Sequence, residues 1–312
     1  MNQITKSFKL KQLPTKDERH KLFGSVEPAE KTKPVEKAKM ADIQNQQKNF
    51  LFSLDSVGIA DVKHPIMIES EMKPNTQTSI GTFSFSSSLP TTSKGTNMSR
   101  FTEQLSKYYE EGFTLNFHTL KKFAIELTDR LEQNDATIEV SFPWFFERKA
   151  PRTELSGLNH ANATMHVTYE REKGFTTKAS LHGTIATLCP CSKEISEYSA
   201  HNQRGNVTME IQFTQDFNED EIDWKYQLLE AAESNASARL YPVLKRPDEK
   251  SVTETAYENP RFVEDIVRLV AADLYEMPFV SKFKVACRNE ESIHLHDAVA
   301  SVTFDKSNES NV

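Results

Sequence analysis

Apolar and polar positions along the chain switch between two periods. Extended, strand-like segments occur at about 61–70 and 78–89, where Ile80, Phe83 and Phe85 stand among Ser and Thr. The period then becomes three-to-four. One helix is predicted over about 99–111, capped by Asn97 or Ser99, and after Gly112 a second over about 116–133, with Phe117, Leu120, Phe123, Ala124, Leu127 and Leu131 on one face. Strands return at about 136–146 and 162–171. The same order follows again: strands at about 175–189 and 205–214, helices at about 221–238 and 260–276, strands at about 282–288 and 293–304. The last helix has the clearest start, with Asn259 as N-cap and Pro260 at its first position. Each half reads ββααββ, so the expected class is α+β, with two antiparallel four-stranded sheets and a helix pair on one face of each. Exposed sheet edges need covering, and assembly into a closed oligomeric ring would cover them. The expected division is a basic arm over 1–40, a first repeat over 41–172 and a second over 173–312.

Composition adds a compartment and excludes some partners. With 312 residues, 37% hydrophobic and 27% charged, the chain is long and apolar enough to pack a sizeable core. No apolar run approaches the roughly 20 residues that cross a bilayer, and the opening MNQITKSFKLKQ lacks the apolar stretch of a secretion signal. A cytoplasmic location without membrane contact is expected. The net charge of −7 argues against a nucleic-acid coat. Residues 1–40 hold ten basic and five acidic side chains, so they carry +5 and the remainder −12. With little to bury, that arm is expected to be mobile and solvated, or ordered only on a partner. Three cysteines are too few for a disulfide scaffold and point to buried, metal-bound or catalytic thiols.

Polar chemistry concentrates in three stretches of the second half. LCPCSKEISEYSAHNQRG at 188–205 brings Cys189, Cys191, Lys193, Glu194, His201 and Arg204 into one connection between strands. A thiol and an imidazole 12 residues apart suit either zinc-type ligands or a nucleophile and its base. Pro190 biases Cys189 toward an extended backbone, in which residues i and i+2 lie about 6.6 Å apart. Two sulfurs on one zinc sit near 3.8 Å, from bonds of about 2.3 Å. One cysteine of the pair is therefore expected to bind and the other not.

The second stretch, 239–265, gathers Arg239, Lys245, Arg246 and Lys250 against only Asp248 and Glu249, which suits either a polyanion or a solvated loop with internal ion pairs. Glu249 is a hard oxygen donor, and Glu264 falls in a first helical turn, where an acid interacts well with the helix dipole. In the third, CRNEESIHLHDA, His294 and His296 alternate on a predicted strand and share a face, fit for metal, proton or substrate work. In the first half, Lys94 and Arg100 lie at a predicted helix N-terminus whose amides suit an anion.

Together these stretches resemble the prokaryotic GTP cyclohydrolases of type IB: SKGTNMSRF, SFPWFF, LCPCSKEISEYSAHNQRG, LKRPDEK with VTETAYENPRFVED, and NEESIHLHDA, in that order over about 85–300. The resemblance implies a tandem tunnelling-fold (T-fold) architecture, a homotetramer with active sites at subunit interfaces, and conversion of GTP and water to formate and 7,8-dihydroneopterin triphosphate, the entry to folate synthesis. By motif position it implies Cys189, His201 and Glu249 as ligands of one divalent metal (Mn, Fe or Zn, with manganese tolerated). It places Cys189, Glu291, His294 and His296 at the reaction centre and Glu264 on the guanine. Charge and placement add Lys193, Arg204, Lys245, Arg246 and Arg100 as candidates for the triphosphate. Two rivals stay open: a T-fold nitrile reductase with a cysteine nucleophile and NADPH, and a non-catalytic metal- or pterin-binding protein.

Overall fold

The computed structural model describes residues 13–24 and 29–308. The chain divides into two units, residues 1–43 and 44–312. In the first, α1 (Lys16–Phe23) starts at a capping box: the Thr15 hydroxyl accepts the Glu18 N–H at 3.3 Å and the Glu18 carboxylate accepts the Thr15 N–H at 2.8 Å. The helix escapes the periodicity reading because it buries no residue. The expected mobility of the arm falls in part on 1–12 and 25–28, outside the described residues.

The second unit runs β1 (Leu54–Glu69), β2 (Thr76–Leu89), α2 (Ser99–Glu111), α3 (Phe117–Leu131), β3 (Asp135–Lys149), β4 (Ser156–Glu170), β5 (Gly174–Leu188), α4 (Pro190–Ile195), β6 (Asn202–Phe213), α5 (Trp224–Ser234), α6 (Arg246–Glu258), α7 (Val263–Glu276), β7 (Val280–Asn289) and β8 (Ala298–Asp305). The eight strands form one antiparallel sheet in sequence order, instead of the two sheets expected. The join is the β4–β5 hairpin, closed over residues 171–173 with Gly174 at φ +82°, a conformation that favours glycine. Nothing in the alternation of either strand marks it as an edge, so the pairing continues across the middle of the chain.

Alternate residues of each strand bury on one face. Phe83, Phe85, Ile138, Val140, Leu181 and Val207 belong to one continuous core that also takes in Phe123 and Leu127 of α3, Trp224 and Leu228 of α5, and Ile266 and Val270 of α7. Each such side chain contributes about 1.5–3 kcal/mol on burial. The opposite face carries Glu139, Ser141, Thr164, His166, Lys178 and Glu210.

Asp223 ties the halves together. Its carboxylate caps α5 through the Lys225 N–H, accepts the Ser70 hydroxyl at 2.7 Å and the Glu71 N–H at 2.9 Å, and pairs with the Lys225 ammonium at 2.8 Å. Burial pushes its pKa up, but the Lys225 charge and these hydrogen bonds win and hold it below the usual value. Its contribution to stability is therefore present above the unfolded pKa of about 3.9 and is lost as pH falls through the depressed folded value. Asp223→Ala leaves a buried lysine without its partner and is expected to cost about 3 kcal/mol at neutral pH. Urea unfolding of the variant and wild type should converge in midpoint as the pH drops below about 4.

The stretch after α5 departs from expectation. Residues 246–258, read as loop, form α6, started by Pro247 in its first turn with Asp248 and Glu249 beside it. Asn259 closes α6 rather than opening α7: its N–H reaches the carbonyls of Thr255 and Ala256. Pro260 lies in the link, and α7 begins at Val263, where the Asp265 carboxylate accepts the Phe262 N–H at 2.9 Å.

Candidate active site

The end of β5, the start of β6 and the end of β7 meet at one edge of the fold, and most candidate residues lie there. Cys189 directly follows β5 and is the N-cap of α4; its backbone is extended (φ −69°, ψ 119°), and its Sγ accepts the Ser192 N–H at 3.5 Å. The Cys189 N–H donates to the His201 carbonyl at 3.0 Å, so the thiol and imidazole residues are neighbours across the mouth of the β5–β6 connection. Pro190 opens α4, so the C-P-C segment is cap and helix rather than continuous strand. The two cysteines differ in exposure: Cys189 is half-buried and Cys191 exposed. The third cysteine, Cys287, is buried on β7, where burial pushes its thiol up to about 12.

His201 is also half-buried. Its Nδ1 lies 3.1 Å from Gln203 Oε1, 3.4 Å from Ser292 Oγ and 4.0 Å from Glu291 Oε2. The Gln203 amide donates in turn to Glu291 Oε1 at 3.4 Å. Gly205 makes room for this arrangement, since a Cβ there would stand 2.7 Å from the side-chain oxygen of buried Asn289. The Glu290 N–H donates to the Arg204 carbonyl at 2.9 Å, which draws the β7–β8 loop onto the start of β6.

Helices α6 and α7 approach the same edge. Val252 and Ala256 of α6 pack with Leu188 and Ala200, the residues preceding Cys189 and His201. Lys193 donates to the Tyr257 carbonyl at 2.6 Å, and the Arg261 N–H donates to Leu188 at 2.9 Å, which brings the exposed Glu264 of α7 near. Glu249 shares the α6 face of Val252 and Ala256 and lies one turn, about 4.5 Å, beyond Val252. Asp248, beside it, is wholly buried. It accepts the N–H groups of Arg152, Thr153 and Lys245 at 2.8, 2.9 and 3.0 Å and the Thr153 hydroxyl at 2.7 Å, pinning the start of α6 to the β3–β4 turn. Burial opposes its ionisation, but these bonds outweigh it and hold the carboxyl well below the usual range.

Other expected members are not set as the sequence predicts. His294 and His296 are not on a strand: β8 begins at Ala298, and 290–297 is a loop closed by the ion pair of Arg288 Nε with Asp297 at 2.6 Å. The alternation misled because Ile293 and Leu295 have no core to enter and are 62% and 109% exposed. The two imidazoles stack, with centroids 4.8 Å apart. Arg100 sits in the first turn of α2, and its guanidinium is engaged by the Arg130 carbonyl and Glu132 of the first half. Lys245 and Arg246 stand at the end of α6 remote from Tyr257. Among the described residues no three His, Cys, Asp or Glu side chains converge as metal ligands do. The single chain sets Cys189 and His201 side by side, with Glu249 one helical turn from Val252, which packs with the residues that precede them. As chemistry, a half-buried thiol and imidazole with carboxylates close by suit a divalent ion of intermediate softness.

Comparison with known proteins places this site in a family. Residues 40–300 match the family model described as type I GTP cyclohydrolase FolE2. The GTP cyclohydrolase FolE2 of Oceanobacillus iheyensis is 68% identical over 96% of this chain and 99% of its own length. The chain belongs to this family. The FolE2 of Bacillus subtilis is 54% identical, covering 94% of this chain and 96% of its own. In fold, uricase from Arthrobacter globiformis is similar with a TM-score of 0.50 at 10% identity, covering 82% of this chain and 94% of that one. FolE2 membership agrees with the motif resemblance and gives the β5–β6 edge its chemical context.

Proposed function

We propose that the protein is a cytoplasmic GTP cyclohydrolase that converts GTP and water to formate and 7,8-dihydroneopterin triphosphate, the first step of tetrahydrofolate biosynthesis. The observation that carries the reading is the adjacency of Cys189 and His201 at the β5–β6 edge of a FolE2-family chain. Cys189, His201 and Glu249 are the proposed metal ligands. A divalent ion held there would supply Lewis acidity, the chemistry by which water becomes nucleophilic near neutral pH toward a carbon such as guanine C8. Glu264, exposed on the first turn of α7, accepts hydrogen bonds from the guanine N1–H and 2-amino group together, and a base lacking those donors would leave the carboxylate unpaired. His294 and His296 take and return protons as the imidazole ring opens and formate leaves. Lys193 and Arg204 hold the triphosphate from the same edge, Lys245 and Arg246 from the first turn of α6 beside Glu249, and Arg100, engaged by the Arg130 carbonyl and Glu132, from a neighbouring subunit.

That assembly is part of the proposal. The order β1 to β8 leaves a 16-residue and an eight-residue strand as outer edges. Ile195, Tyr198, Ile293 and Leu295 are exposed on the β5–β6 and β7–β8 connections that flank the site. A homotetramer of tandem T-fold repeats closed into a barrel would cover both features. The test is to strip the protein of metal, add GTP with manganese, iron or zinc singly, and follow the fluorescent pterin formed on oxidation. Metal-dependent pterin and formate release without NADPH are expected. Tight metal or pterin binding with no formate, or consumption of NADPH, would replace this reading with one of its rivals.

A further inference from the structure

We propose that Gln203 is a positioning residue that sets the tautomer of His201, leaving Nε2 bare to bind the metal and Nδ1 protonated. The inference rests on the reading of His201 as a metal ligand and deepens it.

The argument is one of polarity. A carboxylate only accepts hydrogen bonds, whereas an amide has one donating and one accepting end. Gln203 lies between Glu291 and His201, its Nε2 3.4 Å from Glu291 Oε1 and its Oε1 3.1 Å from His201 Nδ1. Turning the amide over would set its oxygen against the Glu291 carboxylate, two acceptors face to face. Glu291 therefore fixes which end of Gln203 meets the imidazole. The end it leaves is an acceptor, and a neutral imidazole can satisfy an acceptor at Nδ1 only by carrying its proton there. The lone pair is then on Nε2, on the far side of the ring from Gln203. Ser292 Oγ, 3.4 Å from Nδ1, does not change this, because a hydroxyl both donates and accepts. The other face of the residue is held too: the His201 N–H donates to Ser192 Oγ at 3.2 Å, and the Ser192 hydroxyl to the Cys189 carbonyl at 3.1 Å. The residue before the ring and the ring itself are thus locked to the two loops that carry Cys189 and Glu291. A ligating histidine whose second nitrogen is held this way keeps its orientation before the ion arrives, and loss of such a partner typically weakens metal binding about 10–100-fold.

The relay also separates the duties of neighbouring groups. Glu291 reaches His201 Nδ1 directly only at 4.0 Å, so its main effect on the imidazole passes through the amide. Neither Glu nor Met at 203 can do the whole task. Glutamate offers an acceptor to His201 but repels Glu291, and methionine fills the space with no polarity at all.

The test uses the full-length protein, stripped of metal and labelled with ¹⁵N-histidine, at about pH 8.5, well above the ordinary imidazole value of about 6.5. The chain has nine histidines, few enough for long-range ¹H–¹⁵N spectra to resolve, with His201→Gln identifying the signal. The wild type should show His201 protonated on Nδ1. Gln203→Met should move the proton to Nε2, and Gln203→Glu should keep it on Nδ1, which a role in packing alone would not produce. A wild-type proton on Nε2, or an unchanged tautomer in Gln203→Met, overturns the proposal. Manganese titration of the same samples tests the underlying reading separately, with affinity expected to fall about 10–100-fold in Gln203→Met. A tautomer that switches while affinity stays the same would uphold Gln203 as the setter and remove His201 from the ligand set.

Discussion

Cys189→Ala is expected to yield a folded protein that retains no divalent metal and releases formate from GTP at least about 100-fold more slowly than wild type, while Cys191→Ala keeps both metal and turnover. The lower bound follows from scale: outer partners of a ligand are typically worth about 10–100-fold, and a ligand itself more. The fold should survive because Cys189 sits at the end of β5 with a long Sγ contact to Ser192, and a lost cap costs about 1 kcal/mol. Its backbone bond to His201 does not depend on the side chain. Cys191 is one position into a six-residue helix and faces solvent, and Cys287 is locked in the core of the sheet. Metal content by elemental mass spectrometry, measured beside formate release, decides the matter. If Cys191→Ala lost the metal and Cys189→Ala kept it, the assignment of the two sulfurs would be reversed.

The same contrast shows where the sequence was legible. Strands and the α3 and α7 faces were readable because each repeats its buried positions at a fixed period against one continuous core. The α6 helix was not, because RPDEKSVTETAYE adds nothing to that core and puts only Val252 and Ala256 into a small separate apolar cluster with Leu188 and Ala238; its start is written in Pro247 and the acids beside it. The histidine loop shows the opposite failure, an alternation with strand period and no sheet face to receive it. In the site, Cys189 and His201 could be paired from sequence because the strands bounding them are adjacent hairpin partners. Gln203 stood inside the recognised motif, but its role is set by Glu291, 88 residues on, and only the folded chain shows the amide lying between two groups of different polarity.

Neighbouring acids of the RPDEK stretch should separate cleanly by measurement. Asp248→Ala is expected to lower the melting temperature by at least about 5 °C and reduce turnover with it, whereas Glu249→Ala should melt as wild type does and lose metal and turnover together. The reason is burial. Asp248 is 0% exposed and its carboxylate accepts from three backbone N–H groups and one hydroxyl, two of those N–H groups from the β3–β4 turn and one from Lys245 at the start of α6. Alanine leaves all four donors without it and frees the end of the helix that carries Glu249. Glu249, exposed and a turn beyond Val252, holds no fold contact of that kind. Because the folded Asp248 carboxyl titrates well below its ordinary value, its contribution is complete above the unfolded pKa of about 3.9 and fades as acid protonates the folded form. The melting difference between Asp248→Ala and wild type should therefore be largest near neutrality and shrink toward low pH. A Glu249→Ala protein with full metal content would take Glu249 out of the ligand set.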